Sequence, residues 1–276
     1  MSIDLKELIK AGVHFGHQRT KCNPKMAPYI WGHTNGVNLI DVSKTAYGLE
    51  RAAKFIEELA AQNKTILWIG TKRSAQGLLT ESAKKLNMPY VNHHWVGGSI
   101  TNFPQVKKSV TKLLHYRDIL EKSEDYNYTK KELNLLGKYA DKLEKSIGGI
   151  VKLNWPIGAI VVIDAKKEDT AIREAKKAGI PVVALVDTNS DPSFIDYVIP
   201  GNDDSPKSIA VILEFLSQAA QKGKDRAAAD KSSMTHVKQK QKAVIESEEL
   251  LAKVAQLEAE EDEADKSKSK RKLKSQ

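Results

Sequence analysis

Five histidines, His14, His17, His33, His93 and His94, fall within the first hundred residues, and acids close apolar runs near Asp164, Asp187 and Asp203. Imidazoles and carboxylates together are the material of general acid–base work and of divalent-cation sites. His17, Asp187 and Asp203 are the set that could converge on one cation, although no two of these histidines have the i, i+4 spacing that puts both rings on one helix face. Packing, or contact with RNA, is the alternative use of such rings. Nucleophilic chemistry has less support. Ser99 lies in Gly97-Gly98-Ser99-Ile100 without the Gly-x-Ser-x-Gly elbow, and the single cysteine, Cys22, has histidines near it only along the chain. One cysteine excludes an intrachain disulfide and a multi-cysteine zinc site, and it fits a reducing compartment. No catalytic residue, metal ligand or cofactor is assigned, and the cation set stays an open alternative.

These residues must be positioned by an α/β framework. The runs 65–69, 159–163 and 182–186 are apolar without polar alternation, which predicts parallel strands buried on both faces. Weaker strands are expected at 37–42, 89–92 and 197–199, and helices over roughly 44–61, 74–86, 168–178 and 206–221. Strands alternating with helices of this length predict a Rossmann-like, mostly parallel sheet with helices on both faces. That architecture raises the possibility of a nucleotide-binding enzyme. Yet the turn after Ile69 reads Gly70-Thr71-Lys72-Arg73-Ser74, with neither the spaced glycines of a dinucleotide fingerprint nor a Gly-Lys-Ser/Thr triphosphate loop. It offers a helix start with Lys72 and Arg73 beside it, suited to one RNA phosphate; Ser74 capping the helix between solvated cations is the plainer alternative.

Between residues 104 and 148 the strand pattern stops. Val106, Val110, Leu113 and Leu120 form one apolar seam, with Arg117 at the skipped position, and Leu133, Leu136, Ala140, Leu143 and Ile147 form a second. Two such seams predict an inserted antiparallel coiled-coil hairpin. The expected organisation is therefore an α/β body over 1–103 and 149–222, the hairpin over 104–148, and a charged, mobile tail over 223–276.

The net charge of +9 favours a polyanionic partner. Its distribution says more: nine basic residues from Lys64 to Arg117 face the single acid Glu81, an excess of 9 − 1 = +8. The last 54 residues, with 13 basic and 11 acidic, contribute little net charge. There is no run of about 18 apolar residues and no signal-like start, so no membrane partner and a cytoplasmic location are expected. The loop Asn92–Phe103 combines rings, glycines and amides able to follow an RNA backbone and stack on bases. The run 14–28 interleaves cations with rings and prolines. Candidate RNA-binding residues are thus His14, Arg19, Lys21, Lys25, Lys72, Arg73, His94, Trp95, Thr101, Asn102, Lys107, Lys108 and Lys112, with core packing the alternative for Trp95.

The chain resembles the family of bacterial small-subunit ribosomal protein two. The matching stretches run in order: Ala11-Gly-Val-His-Phe-Gly-His-Gln18, Asn23-Pro-Lys-Met26, Gly70-Thr-Lys-Arg73, Met88-Pro-Tyr-Val-Asn92, Trp95-Val-Gly-Gly98 with Thr101-Asn-Phe103, Gly148-Gly-Ile150, Gly179-Ile-Pro181, Val186-Asp-Thr-Asn-Ser-Asp-Pro192 and Val198-Ile-Pro-Gly-Asn-Asp-Asp204. The resemblance covers about residues 8–222. It implies no catalysis, no small-molecule substrate, ribosome-bound attachment to small-subunit rRNA, contacts with neighbouring ribosomal proteins, and docking of the RNA-capturing ribosomal protein one. The chain departs from the family at Cys22, where an aromatic is usual, at His94, where Arg is common, and in the turn 153–158. A Rossmann-type nucleotide-binding enzyme and a free RNA-binding regulator are the competing readings. Calorimetry with dinucleotides and nucleoside triphosphates separates the first: no saturable site tighter than roughly 10 μM is expected, and finding one would reinstate the enzyme.

Overall fold

The computed structural model describes residues 3–122 and 128–229. The described residues up to Asp225 form one compact unit. The expectation of a charged tail falls, from residue 230 onward, outside the described residues, as does the tip of the hairpin. Strands β4 (Thr65–Ile69), β5 (Tyr90–Val91), β6 (Ile157–Ile163), β7 (Val182–Val186) and β8 (Tyr197–Pro200) form a parallel sheet in the order β5-β4-β6-β7-β8. Helices α2 (Val42–Ala61), α3 (Arg73–Lys85), α6 (Asp169–Lys177) and α7 (residues 206–229) cover it.

The unbroken apolar runs are explained by burial on both faces. Ile66, Trp68, Val161, Ile163, Val183 and Leu185 pack with Leu49, Ile56, Leu79 and Ile212 on one side. Leu67, Ile69, Ile160, Val162, Ala184 and Val186 pack with Met26, Leu113, Ile147 and Ile172 on the other. Within each strand, successive side chains enter opposite layers, as a pleated strand requires.

The hairpin consists of α4 (Phe103–Glu121) and α5 (Lys130–Ile147). Val106, Val110, Leu113, Ala140 and Ile147 join the second apolar layer, so the base of the hairpin is continuous with the sheet's core. Arg117, at the skipped seam position, bonds Glu144 of the opposite helix. Ile119 is buried where Leu120 had been expected, and Leu120 is half-buried beside it: the apolar stripe is wider than a two-position seam. Thr129 and Glu132 form a capping box that starts α5.

Several boundaries differ from expectation for local reasons. Asp41 accepts a bond from the Ser43 N–H (3.0 Å) and caps α2, so the helix begins two residues earlier than predicted and β3 (Val37–Ile40) ends sooner. Ser74 caps nothing; the cap position of α3 is Lys72. The last helix continues past 221 to 229. A second sheet was not anticipated: β1 (Phe15–Gln18), β2 (Ile30–Thr34) and β3 pair antiparallel in the order β1-β3-β2, behind the short α1 (Leu5–Lys10). Its β2–β3 turn is Asn35-Gly36, both at positive φ (52° and 77°), the pairing that two-residue hairpins favour.

Helix α2 lies directly on β8 at Gly48, where an added Cβ would stand 2.4 Å from the Val198 carbonyl oxygen. Gly48→Ala should force the helix outward and destabilise the body by about 1 to 3 kcal/mol in urea unfolding; an unchanged midpoint would refute the tight contact.

Candidate RNA interface and the carboxyl edge of the sheet

A parallel sheet brings the carboxyl ends of its strands to one edge, and the predicted cation set gathers there together with Lys72. Asp164 follows β6, Asp187 follows β7, Asp203 and Asp204 follow β8, and Lys72 follows β4. His17 arrives from β1. Its ring nitrogens lie 3.0 Å from Asp187 Oδ2 and 3.4 Å from Asp204 Oδ2. Lys72 Nζ lies 2.6 Å from Asp203, 2.5 Å from Asp204 and 3.5 Å from Asp164. The set His17, Asp187 and Asp203 is therefore brought together, with Asp204 as a fourth member that sequence reading missed; one donor atom from each lies within 4.8 Å of the others. Such donors could hold a small divalent cation, and the Lys72 ammonium already supplies one positive charge among three of the carboxylates.

Burial pushes the Asp203 carboxyl up to about 7, helped by the charges of Asp164 and Asp187, while Lys72 pulls it back. His17 is raised, chiefly by its bond to Asp187. Burial alone would lower the Lys72 ammonium, but its bonds to Asp203 and Asp204 outweigh that and raise it. For Asp203, the folded protein binds the proton more tightly than the unfolded chain. Its stabilising contribution is complete below the ordinary value of 3.8 and fades as pH rises to about 7.

The place where a Rossmann-type enzyme would hold a phosphate is filled from within. Glu168, 2% exposed, accepts from the Thr71 N–H (3.2 Å) and from the Thr71 hydroxyl. Lys167 Nζ donates to the Thr71 carbonyl at 2.9 Å. Gly70 serves packing rather than ligand approach, since a Cβ there would meet Leu79 at 2.8 Å. An internal carboxylate thus occupies the anion position at the start of α3.

The candidate RNA-binding residues divide by exposure. Arg19, Lys21, Lys25, Arg73, His94, Thr101, Asn102, Lys107, Lys108 and Lys112 are exposed. Lys25 is paired with Asp191 at 2.7 Å, and Lys25 is also the main cause of the Asp191 carboxyl falling to about 2. His14 is half-buried, its ring 4.0 Å from that of Phe15, and burial lowers its pKa. Lys72 is committed to the acidic edge. Trp95 is buried, as its core-packing alternative held, and joins the second apolar layer.

Sequence reasoning missed the residue that organises the Asn92–Phe103 loop. Glu174, on α6, accepts from Trp95 Nε1 (3.0 Å) and the Gly98 N–H (2.8 Å) with one oxygen. With the other it accepts from the N–H groups of Ile100 (3.1 Å) and Thr101 (3.2 Å). Burial would raise this carboxyl, yet the four bonds together lower it. Its contribution to stability is present above the usual carboxylate range and is lost as pH falls through the lowered value. Nothing in the local sequence signals this role, because donors and acceptor are more than seventy residues apart.

The fold defines the class as an α/β protein with a parallel sheet and an inserted helical hairpin. A family model described as Ribosomal protein S2 matches residues 8–223. The small ribosomal subunit protein uS2 of Geotalea uraniireducens (strain Rf4) is 46% identical over 222 residues, 80% of this chain and 87% of the relative. That of Hahella chejuensis (strain KCTC 2396) is 43% identical over 238 residues, 85% and 93%. That of Cytophaga hutchinsonii is 45% identical over 216 residues, 78% and 85%. The chain belongs to the ribosomal protein S2 family, a non-enzymatic constituent of the small ribosomal subunit with a structural role in translation. No described helix is long and apolar enough to cross a membrane.

Glu174→Ala would strip the buried Trp95 ring N–H and the adjacent amides of their acceptor. A loss of about 1 to 3 kcal/mol is expected in urea unfolding, with Glu174→Gln in between. Wild-type stability in the Ala variant would mean that the loop is held by packing alone.

Proposed function

We propose that this protein is held on small-subunit rRNA by exposed cations and amides. Lys107, Lys108 and Lys112 on the first turns of α4 are the centre of the set; Arg73, His94, Thr101 and Asn102 lie beside them in sequence or in the loop, and Arg19, Lys21 and Lys25 extend it, with His14 behind them. Lys72 and Trp95 serve this surface from inside, one holding the α3 turn and the other anchoring the loop. The observation that carries the reading is the state of the three α4 lysines. Among the described residues Lys25, Lys44, Lys72, Lys85, Arg117, Lys122, Arg173 and Lys176 are paired with carboxylates. Lys107 and Lys108 are exposed with no carboxylate partner, and Lys112 Nζ rests 5.6 Å from the Tyr116 ring centroid. Unpaired cations that follow directly on a fixed, glycine-rich loop suit phosphate positioning.

Contact with ribosomal protein one is the second part of the proposal, and it is favoured by the apolar side chains the hairpin leaves exposed: Leu114, Tyr128, Leu135 and Tyr139. Such groups suit a protein partner more than a phosphate backbone.

Replacing Lys107, Lys108 and Lys112 together by Ala should weaken binding to small-subunit rRNA at low salt. The slope of log affinity against log salt should flatten by up to about 2 to 3 units, with no change in which RNA is preferred. A folded variant with an unchanged slope would move the RNA surface elsewhere on the body.

A further inference from the structure

Tyr47, Arg51 and Phe55 recur every fourth residue along α2 and so share one face of the helix. Tyr197 of β8 closes against them. The rings of Phe55 and Tyr197 stack, centroids 4.3 Å apart and planes inclined by 15°. The Arg51 guanidinium carbon lies 5.7 Å from the Tyr197 centroid and 5.7 Å from that of Tyr47. Phe55, Tyr197, Arg51 and Tyr47 therefore form a column of alternating planar groups whose outermost ring, Tyr47, is 65% exposed. Arg51 is paired with rings and with no carboxylate among the described residues. A column that served only to fasten α2 to β8 would be complete at Tyr197. Its extension through a cation to an open ring leaves apolar surface in water.

That ring faces a hollow of about 750 Å³, lined also by Lys25, Tyr29, Lys44 and Pro192, within the size range of small-ligand clefts. Lys44 Nζ donates to the Pro28 carbonyl and stands 3.7 Å from Asp41. Lys25 stands opposite Asp191. The hollow thus offers one open aromatic face, one guanidinium without a carboxylate partner and two ammoniums already partly neutralised, while its one lining acid, Asp196, is paired with Lys176. An acidic peptide would ask for free cations at several points. A planar group carrying isolated phosphates asks for what is present: a stacking floor with single cations at its rim.

We propose that this hollow holds one unpaired nucleotide of an RNA strand, its base on Tyr47 and its flanking phosphates against Arg51 and Lys44. The inference rests on the RNA-binding reading above and adds a stacking site, reached through Lys25, that no feature of the sequence had marked.

The test uses the full chain and two labelled probes, oligoadenylate and oligouridylate RNA, with AMP and oligoglutamate as competitors. Adenine stacks more strongly, so the wild type should prefer oligoadenylate. Tyr47→Phe should keep that affinity, while Tyr47→Leu should lose about five- to a hundredfold with an unchanged melting temperature, because the ring is exposed. Ultraviolet crosslinking should place the nucleotide adduct on Tyr47. Equal binding by Tyr47→Leu and wild type would overturn the proposal; if the triple lysine variant still loses rRNA affinity, the broader RNA reading survives that result. AMP binding as tightly as the strand would make this a mononucleotide pocket and overturn it. Displacement by oligoglutamate as effective as by RNA would make it a protein-docking groove, with the same consequence.

Discussion

Everything in the body depends on how the carboxyl edge of the parallel sheet is neutralised. The five parallel strands end there, and beyond three of them, β6, β7 and β8, the chain places Asp164, Asp187, Asp203 and Asp204. Four carboxylates in partly buried ground repel one another and resist desolvation. Lys72 resolves most of this, reaching three of them from the start of α3, and His17 reaches the other pairing from β1. The small antiparallel sheet is thereby tied to the large one by charge as well as by packing. In this architecture the carboxyl edge is where charge gathers, and here Lys72 and His17 offset part of it from within the same chain.

Helix α6 carries that logic to the surface. Its cap residue, Glu168, fixes the α3 turn through Thr71. Six residues on, Glu174 fixes the loop that leads into α4. Two carboxylates on one short helix thus set the positions of Arg73 on one side and of His94, Thr101 and Asn102 on the other. Rigid placement of exposed groups lowers the ordering cost of binding, which is the main thing a scaffold can offer a flexible polyanion.

Much of this was legible in the sequence, and the failures have physical causes. The three central strands were readable because both of their faces are buried, and the hairpin because its seams repeat. The N-terminal sheet was not, since β1 and β2 are short and half-exposed, with burial too mixed to give a clean alternation. Asn35-Gly36 was the available signal, a turn dipeptide standing just before the strand expected at 37–42, whose partner at 30–34 went unmarked. Joining His17 to Asp187 and Asp203 followed from strand ends alone. Asp204 was missed because adjacent residues in an extended segment ordinarily point apart. Glu174 was invisible: a glutamate on a charged helix reads as solvated until its distant donors are seen.

Charge counting misled in a specific way. The stretch from Lys64 to Arg117 appears as an excess of eight cations, yet its members are not equivalent once folded. Lys72 is spent on the acidic edge, Lys85 on Glu81 and Arg117 on Glu144. Counterion release scales with phosphates neutralised by free cations, and a lysine already paired releases less when it meets a phosphate, because it must first give up its partner. The cationic footprint of that stretch is therefore smaller than the composition implies. If the free cations at the start of α4 are the proposed contact, their placement rather than their number would fix the orientation of a protein of only modest net charge. A diffuse positive surface would attract RNA everywhere and position it nowhere.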